Sequence, residues 1–173
     1  MHEQVSEHFG TNKLWHPNHH WFKSNHSTIT APSQLYDLWI KAAEDRKLTA
    51  ALLLDLSAAF DVINHSILLE KLRLYNFSPG ALSWFKSYLE DRIQAVQVES
   101  RLSDFMPVGD QGITQGSLLG PLLFIIFYND FPDVREEGES ILYADDDTDN
   151  VSDNDPNTLI ERYKEKLTYQ HLG

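Results

Sequence analysis

Acidic residues stand at the ends of two apolar runs of this chain. Asp55 follows the apolar residues 50–54, and the pair Asp145-Asp146 follows residues 141–144. Carboxylate oxygens are hard ligands that suit Mg²⁺, and carboxylates that repel one another are stabilised together by such a cation. Two cations held in this way can activate a hydroxyl group and stabilise a leaving phosphate oxygen. Asp55, Asp145 and Asp146 are therefore the candidate metal-binding and catalytic residues.

Each of these acids also has a purely structural explanation. Asp145 and Asp146 point to opposite faces of a regular strand, so they share one site only if the strand turns there. Residues 147–150 are suited to turning the chain into a hairpin, and a solvated acidic turn is the ordinary role of an Asp-Asp pair. Asp55 could instead cap the next helix, although an unpaired charge at the end of a buried strand is costly.

Glycines flank the start of a long apolar stretch. Gln115-Gly116 and Gly120-Pro121 precede or open the run that ends at Phe131. Glycine lets backbone amides approach a ligand closely, and the N-terminus of a helix favours phosphate. A plain turn into a buried helix explains the same residues as well.

The strands that must position these residues can be read from the apolar pattern. Residues 49–56 suit a strand buried on both faces, and Glu139–Tyr143 suit a strand that ends at the acidic pair. Residues 93–98 alternate as in a half-buried strand, with residues 105–108 as an antiparallel partner.

Helical spacing and capping residues predict the remaining elements. Asn64 caps a helix that places Ile67 and Leu68 on one face, and Ser78 opens the next helix. The expected helices cover residues 32–42, 64–75, 78–89, the apolar run to 131, and 159–167. The fold class is therefore α/β (α+β), with an antiparallel sheet backed by helices.

Composition bounds the class of protein. The chain has 173 residues, 42% of them hydrophobic, and a formal net charge of -12. That charge opposes binding to a phosphate backbone, which normally needs a basic surface. The N-terminus is unlike a signal peptide and the longest apolar stretch is too short to span a bilayer, so we expect an intracellular protein, nuclear or cytoplasmic, without a membrane partner.

The N-terminal residues differ from the rest of the chain. Residues 1–30 are rich in histidine and show no sustained periodicity, so we expect irregular structure there and one domain over residues 31–173. The spacing of His16, His19 and His20 could ligate zinc, but the chain has no cysteine and no helical frame is evident there.

Three stretches follow one another along the chain: LDLSAAFD at residues 54–61, GITQGSLLGP at residues 112–121 and YADD at residues 143–146. They resemble, in the same order, the first, second and third palm motifs of reverse transcriptases of non-LTR (LINE-like) retrotransposons. The intervening residues 65–72 and 84–89 are also typical of that branch. The resemblance implies a polymerase palm and RNA-directed DNA polymerase activity, a nucleotidyltransferase reaction.

The resemblance also implies roles for the acids. Asp55, Asp145 and Asp146 are expected to carry two Mg²⁺ ions, with Mn²⁺ as a possible substitute. In the reaction that the resemblance implies, the primer 3′-hydroxyl attacks the α-phosphate of a dNTP, and pyrophosphate leaves. The implied partners are an RNA template, a DNA primer and dNTP.

Further residues are assigned to the nucleotide by the same resemblance. Phe60 is expected to pack under the incoming sugar and to exclude a 2′-hydroxyl. Gln115 and Gly116 are expected to line the nucleotide pocket, and Tyr143 and Ala144 to support the base pair at the primer terminus. Without the resemblance, Phe60 and Tyr143 are simple core aromatics.

The family's basic fingers, its thumb and an endonuclease region do not fit in this chain. We therefore expect a truncated palm that is too incomplete to be active alone. One alternative is a catalytically inactive or domesticated palm fragment that acts at most as a binding module. A second alternative is a metal-dependent phosphodiester hydrolase.

Overall fold

The computed structural model describes residues 1–18, 30–55, 58–134, 139–143 and 146–169. The helices are α1 (His2–Thr11), α2 (Thr30–Glu44), α3 (His65–Leu74), α4 (Pro79–Leu89), α5 (Gly120–Tyr128) and α6 (Pro156–Tyr169). The strands are β1 (Leu48–Asp55), β2 (Ile93–Gln94), β3 (Gln97–Val98), β4 (Arg101–Leu102), β5 (Met106–Pro107), β6 (Glu139–Tyr143) and β7 (Asp146–Asp153). Within these described ranges, no helix is long and apolar enough to cross a membrane.

The chain divides into two compact units. We call Met1–Leu14 with Ala58–Tyr128 the helical unit, and Trp15–Ser57 with Asn129–Gly173 the sheet unit. Each unit has its own secondary structure.

The sheet unit is built on an antiparallel sheet with the strand order β1-β7-β6. Helix α2 packs against β1 and β6, and α6 packs against β1 and β7. Helix α2 begins at Thr30, near the predicted start at Pro32, and β6 has the predicted bounds Glu139–Tyr143. The prediction of an antiparallel sheet backed by helices is confirmed.

Strand β1 forms where the apolar run predicted it, but its two faces are not both buried. Leu53 is 75% exposed and Leu48 is 47% exposed. Helices α2 and α6 contact β1 and still leave Leu53 uncovered. An apolar sequence shows that a strand can be buried on both faces, but it does not show which neighbouring elements cover the strand.

The turn predicted at residues 147–150 is wrong, because these residues lie inside β7, although β7 does pair antiparallel with the preceding strand β6. Their polar groups find partners within the sheet unit: the Ser140 hydroxyl donates to Asp147 Oδ1 at 2.5 Å, and the Trp39 indole N–H donates to Asn150 Oδ1 at 2.8 Å. Polar side chains that are hydrogen-bonded can be buried in a strand, so their turn preference does not decide the local structure.

Side-chain caps start α3 and α4 at the predicted positions. The Asn64 side chain accepts from Ile67 N–H at 3.1 Å, and the Ser78 hydroxyl accepts from Ala81 N–H at 3.3 Å. The prediction that Ile67 lies on the buried face is wrong, since it is 51% exposed whereas Leu68 is fully buried. Consecutive helical residues are separated by about 100° around the axis, so both cannot face the core equally.

Helix α5 is the buried helix predicted from the long apolar run, and it ends at Tyr128 rather than Phe131. Helix α3 packs against it. A helix that is apolar on every side is stable only when other elements surround it. Its fully or nearly fully buried residues are Gly120, Leu122, Leu123, Phe124, Ile125 and Ile126.

The irregular structure expected over residues 1–30 is wrong for His2–Thr11, which form α1. Val5 and Phe9 lie one turn apart on this helix and are 1% and 0% exposed. The Phe9 ring packs against Tyr75 with 4.8 Å between centroids. Tertiary packing of one apolar face stabilises a short helix whose sequence shows little periodicity.

The pairing predicted between residues 93–98 and 105–108 is confirmed for β2 and β5, which are antiparallel. The predicted half-burial is wrong, because Ile93 is 64% exposed and Val98 is 66% exposed. Strand β3 pairs with β4 instead. A two-stranded ribbon lacks the further strands that build a buried face.

Candidate functional site

The end of the sheet brings two predicted ligands onto adjacent strands. The register of β1 and β7 places Asp55 opposite Asp146, and β6 pairs Tyr143 with Asp146 on the other side. Opposed residues of an antiparallel pair lie about 4.5–5.5 Å apart at Cα. Asp146 therefore lies between Asp55 and Tyr143. Ala144 and Asp145, which join β6 to β7, lie outside the described residues.

Strand β7 carries both exposed and buried aspartates. Asp146 is exposed at the sheet end, whereas Asp147 and Asp149 are each 1% exposed. Asp147 accepts a hydrogen bond from Ser140. Asp149 lies near Tyr163, and burial of the phenol together with the Asp149 charge raises the pKa of Tyr163. Asp147 and Asp149 thus belong to the packed interior, and Asp146 is the acid of these three that a ligand can reach.

The loop before α5 presents the predicted nucleotide residues Gln115 and Gly116, both exposed. Gly116 has φ +77, a left-handed conformation that glycine adopts without steric cost. The Ser117 hydroxyl donates to Thr114 O at 2.7 Å and accepts from Gly120 N–H at 2.9 Å. Ser117 therefore fixes the loop against the first turn of α5.

Phe60 packs against α5. Its ring stacks on Phe124 with 4.8 Å between centroids and 17° between planes. Phe60 is half-buried. It makes the contact expected of a core aromatic while part of the side chain remains accessible.

The predicted site residues fall in both units. Phe60, Gln115 and Gly116 belong to the helical unit, and Asp55 and Asp146 to the sheet unit. Within the part of the chain that the structure describes, no group of three or more His, Cys, Asp or Glu side chains is arranged to hold a metal ion. The predicted third ligand, Asp145, is outside that part.

The zinc alternative involves two residues, His19 and His20, that lie outside the described ranges. The third, His16, uses Nδ1 to accept a hydrogen bond from Asn18 N–H at 3.2 Å.

His65 is not among the residues predicted from the sequence, and the structure buries it to 2% exposure. Its Nε2 donates to the Gly112 carbonyl oxygen at 2.7 Å, next to the loop that carries Gln115. His65 shares one face of α3 with the buried Leu68 and Leu72. A polar side chain on an otherwise apolar helix face was the signal that could have identified it.

Similarity to known polymerases covers most of the chain. A family model described as "Reverse transcriptase (RNA-dependent DNA polymerase)" matches residues 1–165. The match runs through residue 30 without a break, so it gives no support to the domain boundary that was predicted there. That boundary stays a prediction.

Relatives from Drosophila melanogaster are similar at about one third identity. The chain is 33% identical over 162 residues to "Probable RNA-directed DNA polymerase from transposon BS", a match that covers 88% of this chain and 17% of the relative. It is 33% identical over 132 residues to "RNA-directed DNA polymerase from mobile element jockey", covering 72% and 14% respectively. It is 34% identical over 135 residues to "Probable RNA-directed DNA polymerase from transposon X-element", covering 75% and 15%. The chain thus spans about a sixth of the length of these relatives.

The fold is also found in a solved structure. Apo telomerase from Candida tropicalis, truncated from its C-terminal domain, superposes with a TM-score of 0.63 at 16% identity. The match covers 96% of this chain and 36% of the telomerase chain. The predicted palm-like α/β fold is confirmed. With the family model matching residues 1–165 and the transposon polymerases above, the chain belongs to the reverse transcriptase (RNA-dependent DNA polymerase) family.

Proposed function

We propose that this chain forms the catalytic palm of an RNA-directed DNA polymerase of a non-LTR retrotransposon. The observation that carries the proposal is the β1–β7 register, which sets Asp55 opposite Asp146 at one end of the sheet. The chain's reaction is the addition of a dNTP to a primer 3′-hydroxyl, directed by an RNA template.

Asp55, Asp145 and Asp146 are the residues that would hold two Mg²⁺ ions, or Mn²⁺ in their place. Like charges directly opposite one another destabilise a sheet, so the Asp55–Asp146 pair fits a bound divalent cation better than it fits an empty sheet end. Bound metal would activate the attacking hydroxyl and stabilise the leaving phosphate oxygen. Asp145 is joined to Asp146 by one peptide bond and supplies a third carboxylate.

The remaining predicted residues bind and orient the nucleotide in this proposal. Phe60, whose ring stacks on Phe124, limits the space at the 2′ position of the sugar. Gln115 and Gly116 are exposed in the loop before α5, where backbone amides can approach the nucleotide. Tyr143 and Ala144 support the base pair at the primer terminus.

A second candidate is a palm that has no activity by itself. The net charge of -12 opposes retention of template and primer, whose phosphates favour basic surfaces.

Primer extension separates these candidates. A palm that is active by itself predicts incorporation of labelled dTTP on poly(rA)·oligo(dT) with Mg²⁺ at low salt, lost in Asp145→Asn and retained in the control Asp37→Asn, whose side chain is exposed on α2. Wild-type protein that incorporates no dTTP would establish the inactive palm instead. Nicking of a labelled strand without dNTP would establish the hydrolase that the sequence also allowed.

A further inference from the structure

The turn that carries Phe60 and the loop that leads to Gln115 are tied together by hydrogen bonds. We call residues 60–65 and 110–113 the strap. Its backbone bonds run from Ile113 N–H to Phe60 O (2.9 Å), from Gly112 N–H to Ile63 O (2.8 Å) and from His65 N–H to Asp110 O (3.0 Å). An isolated antiparallel bridge between Asn64 and Gln111 adds to it. The strap is thus a short ladder between two segments that are distant in sequence.

The His65 side chain closes the strap. The imidazole is 2% exposed, and Nε2 lies 2.7 Å from the Gly112 carbonyl oxygen. Because a carbonyl oxygen only accepts, Nε2 carries the proton. Nδ1 is buried and has no hydrogen-bond partner among the described residues. The hydrogen bond of the His65 ring is therefore made through Nε2 to the loop residue Gly112.

Gly112 shows how closely the two segments approach. It has φ +87, and a Cβ at this position would lie 3.2 Å from the backbone oxygen of Asp61. Its N–H and its C=O are both bonded to the facing segment, through Ile63 and His65. The backbone at Gly112 is therefore fixed in orientation as well as in position.

The loop is held at its far end too. The Ser117 hydroxyl bridges Thr114 O and Gly120 N–H. Gln115 and Gly116 lie between these two anchors, and Phe60 is bonded directly to Ile113. The separation between Phe60 and the exposed loop residues is thus set by the strap at one end and by α5 at the other.

We infer that His65 is a positioning residue for the nucleotide pocket. It orients Gly112, and through Gly112 it sets the distance from Phe60 to Gln115 and Gly116. This inference rests on the proposed function, because those three residues are there assigned to the incoming nucleotide. His65 acts on the nucleotide only through Gly112, without touching it.

The test compares two substitutions at His65 with one at a matched histidine. His65→Phe keeps a ring and removes the donor, whereas His65→Gln keeps an N–H donor near the Nε2 position. His8→Phe is the control, because His8 Nε2 makes a bond of the same 2.7 Å length to the Tyr75 carbonyl in the same unit. Hydrogen exchange of the amides over residues 112–117 and steady-state dTTP kinetics are measured for each variant.

We expect His65→Phe to accelerate amide hydrogen exchange over residues 112–117. We also expect it to raise KM for dTTP about tenfold with a smaller change in kcat, because the loss of one hydrogen bond corresponds to about a tenfold change in an equilibrium constant. We expect His65→Gln to restore both measurements and His8→Phe to change neither. Unchanged loop exchange in His65→Phe would overturn the inference whether or not the chain polymerises. An active wild type whose KM is unaffected by His65→Phe would overturn it while leaving the proposed function intact.

Discussion

Gly120 is the first residue of α5, and the loop that precedes it leaves no space for a side chain at this position. A Cβ built on Gly120 would lie 2.8 Å from the Thr114 backbone oxygen and 2.9 Å from Ser117 Oγ. Both atoms belong to the hydrogen-bonded turn that holds Gln115, so Gly120→Ala forces either the turn or the helix to move. Overpacking of this kind costs about 1–3 kcal/mol.

Gly80→Ala is the matched control, because nothing lies within 4 Å of a Cβ at Gly80. Gly80 is in the first turn of α4, where alanine lowers the entropy of the unfolded chain and raises stability by up to about 1 kcal/mol. The same chemical change is therefore expected to destabilise at residue 120 and to stabilise at residue 80. Urea unfolding followed by circular dichroism measures both. Equal effects of the two substitutions would refute the close approach of α5 and its loop.

Other predictions concern the sheet unit. Trp39→Phe removes the indole N–H that donates to the buried Asn150 Oδ1, so we expect the free energy of unfolding in urea to fall by about 1–3 kcal/mol. A fall of less than about 0.5 kcal/mol would contradict this hydrogen bond. The Asp155 amide N–H, and to a lesser degree the Arg162 guanidinium, lower the pKa of the Asp153 carboxyl. That carboxylate therefore stabilises the fold above its unfolded pKa, and the contribution disappears as the pH falls through the lower folded pKa. Arg162→Gln should lower Tm at pH 6 and have a smaller effect at pH 3, and an equal effect at both pH values contradicts the assignment.

Local signals in the sequence were sufficient for the ends of several elements. Asn64 and Ser78 could be identified as caps because a cap acts on amides within three residues of itself. The strand Glu139–Tyr143 was equally clear, since apolar residues lead directly into the acidic pair. These features depend on near neighbours in the chain.

Features that depend on distant partners could not be predicted. Residues 147–150 have turn-forming side chains, and they lie in a strand because Ser140 and Trp39 hydrogen-bond to that strand. Leu53 is exposed although its neighbours are apolar, because burial depends on which helices cover β1. The polar position of His65 on the apolar face of α3 could indicate a buried histidine, but not its partner Gly112, which is 47 residues away.

We propose that the sheet end at Asp55 and Asp146 holds a divalent cation. Thermal unfolding of the wild type and of Asp146→Asn, each in EDTA and in Mg²⁺, tests it directly. Ligand at tenfold its Kd stabilises the wild type by about 1.4 kcal/mol, a rise of about 3–6 °C in Tm for a chain of this size.

For Asp146→Asn we expect no rise in Mg²⁺ and a Tm in EDTA equal to or above that of the wild type, because the variant lacks one of two opposed charges. Asp37→Asn should keep the full rise. A wild-type Tm that does not respond to Mg²⁺, or an equal response in Asp146→Asn, would contradict the claim.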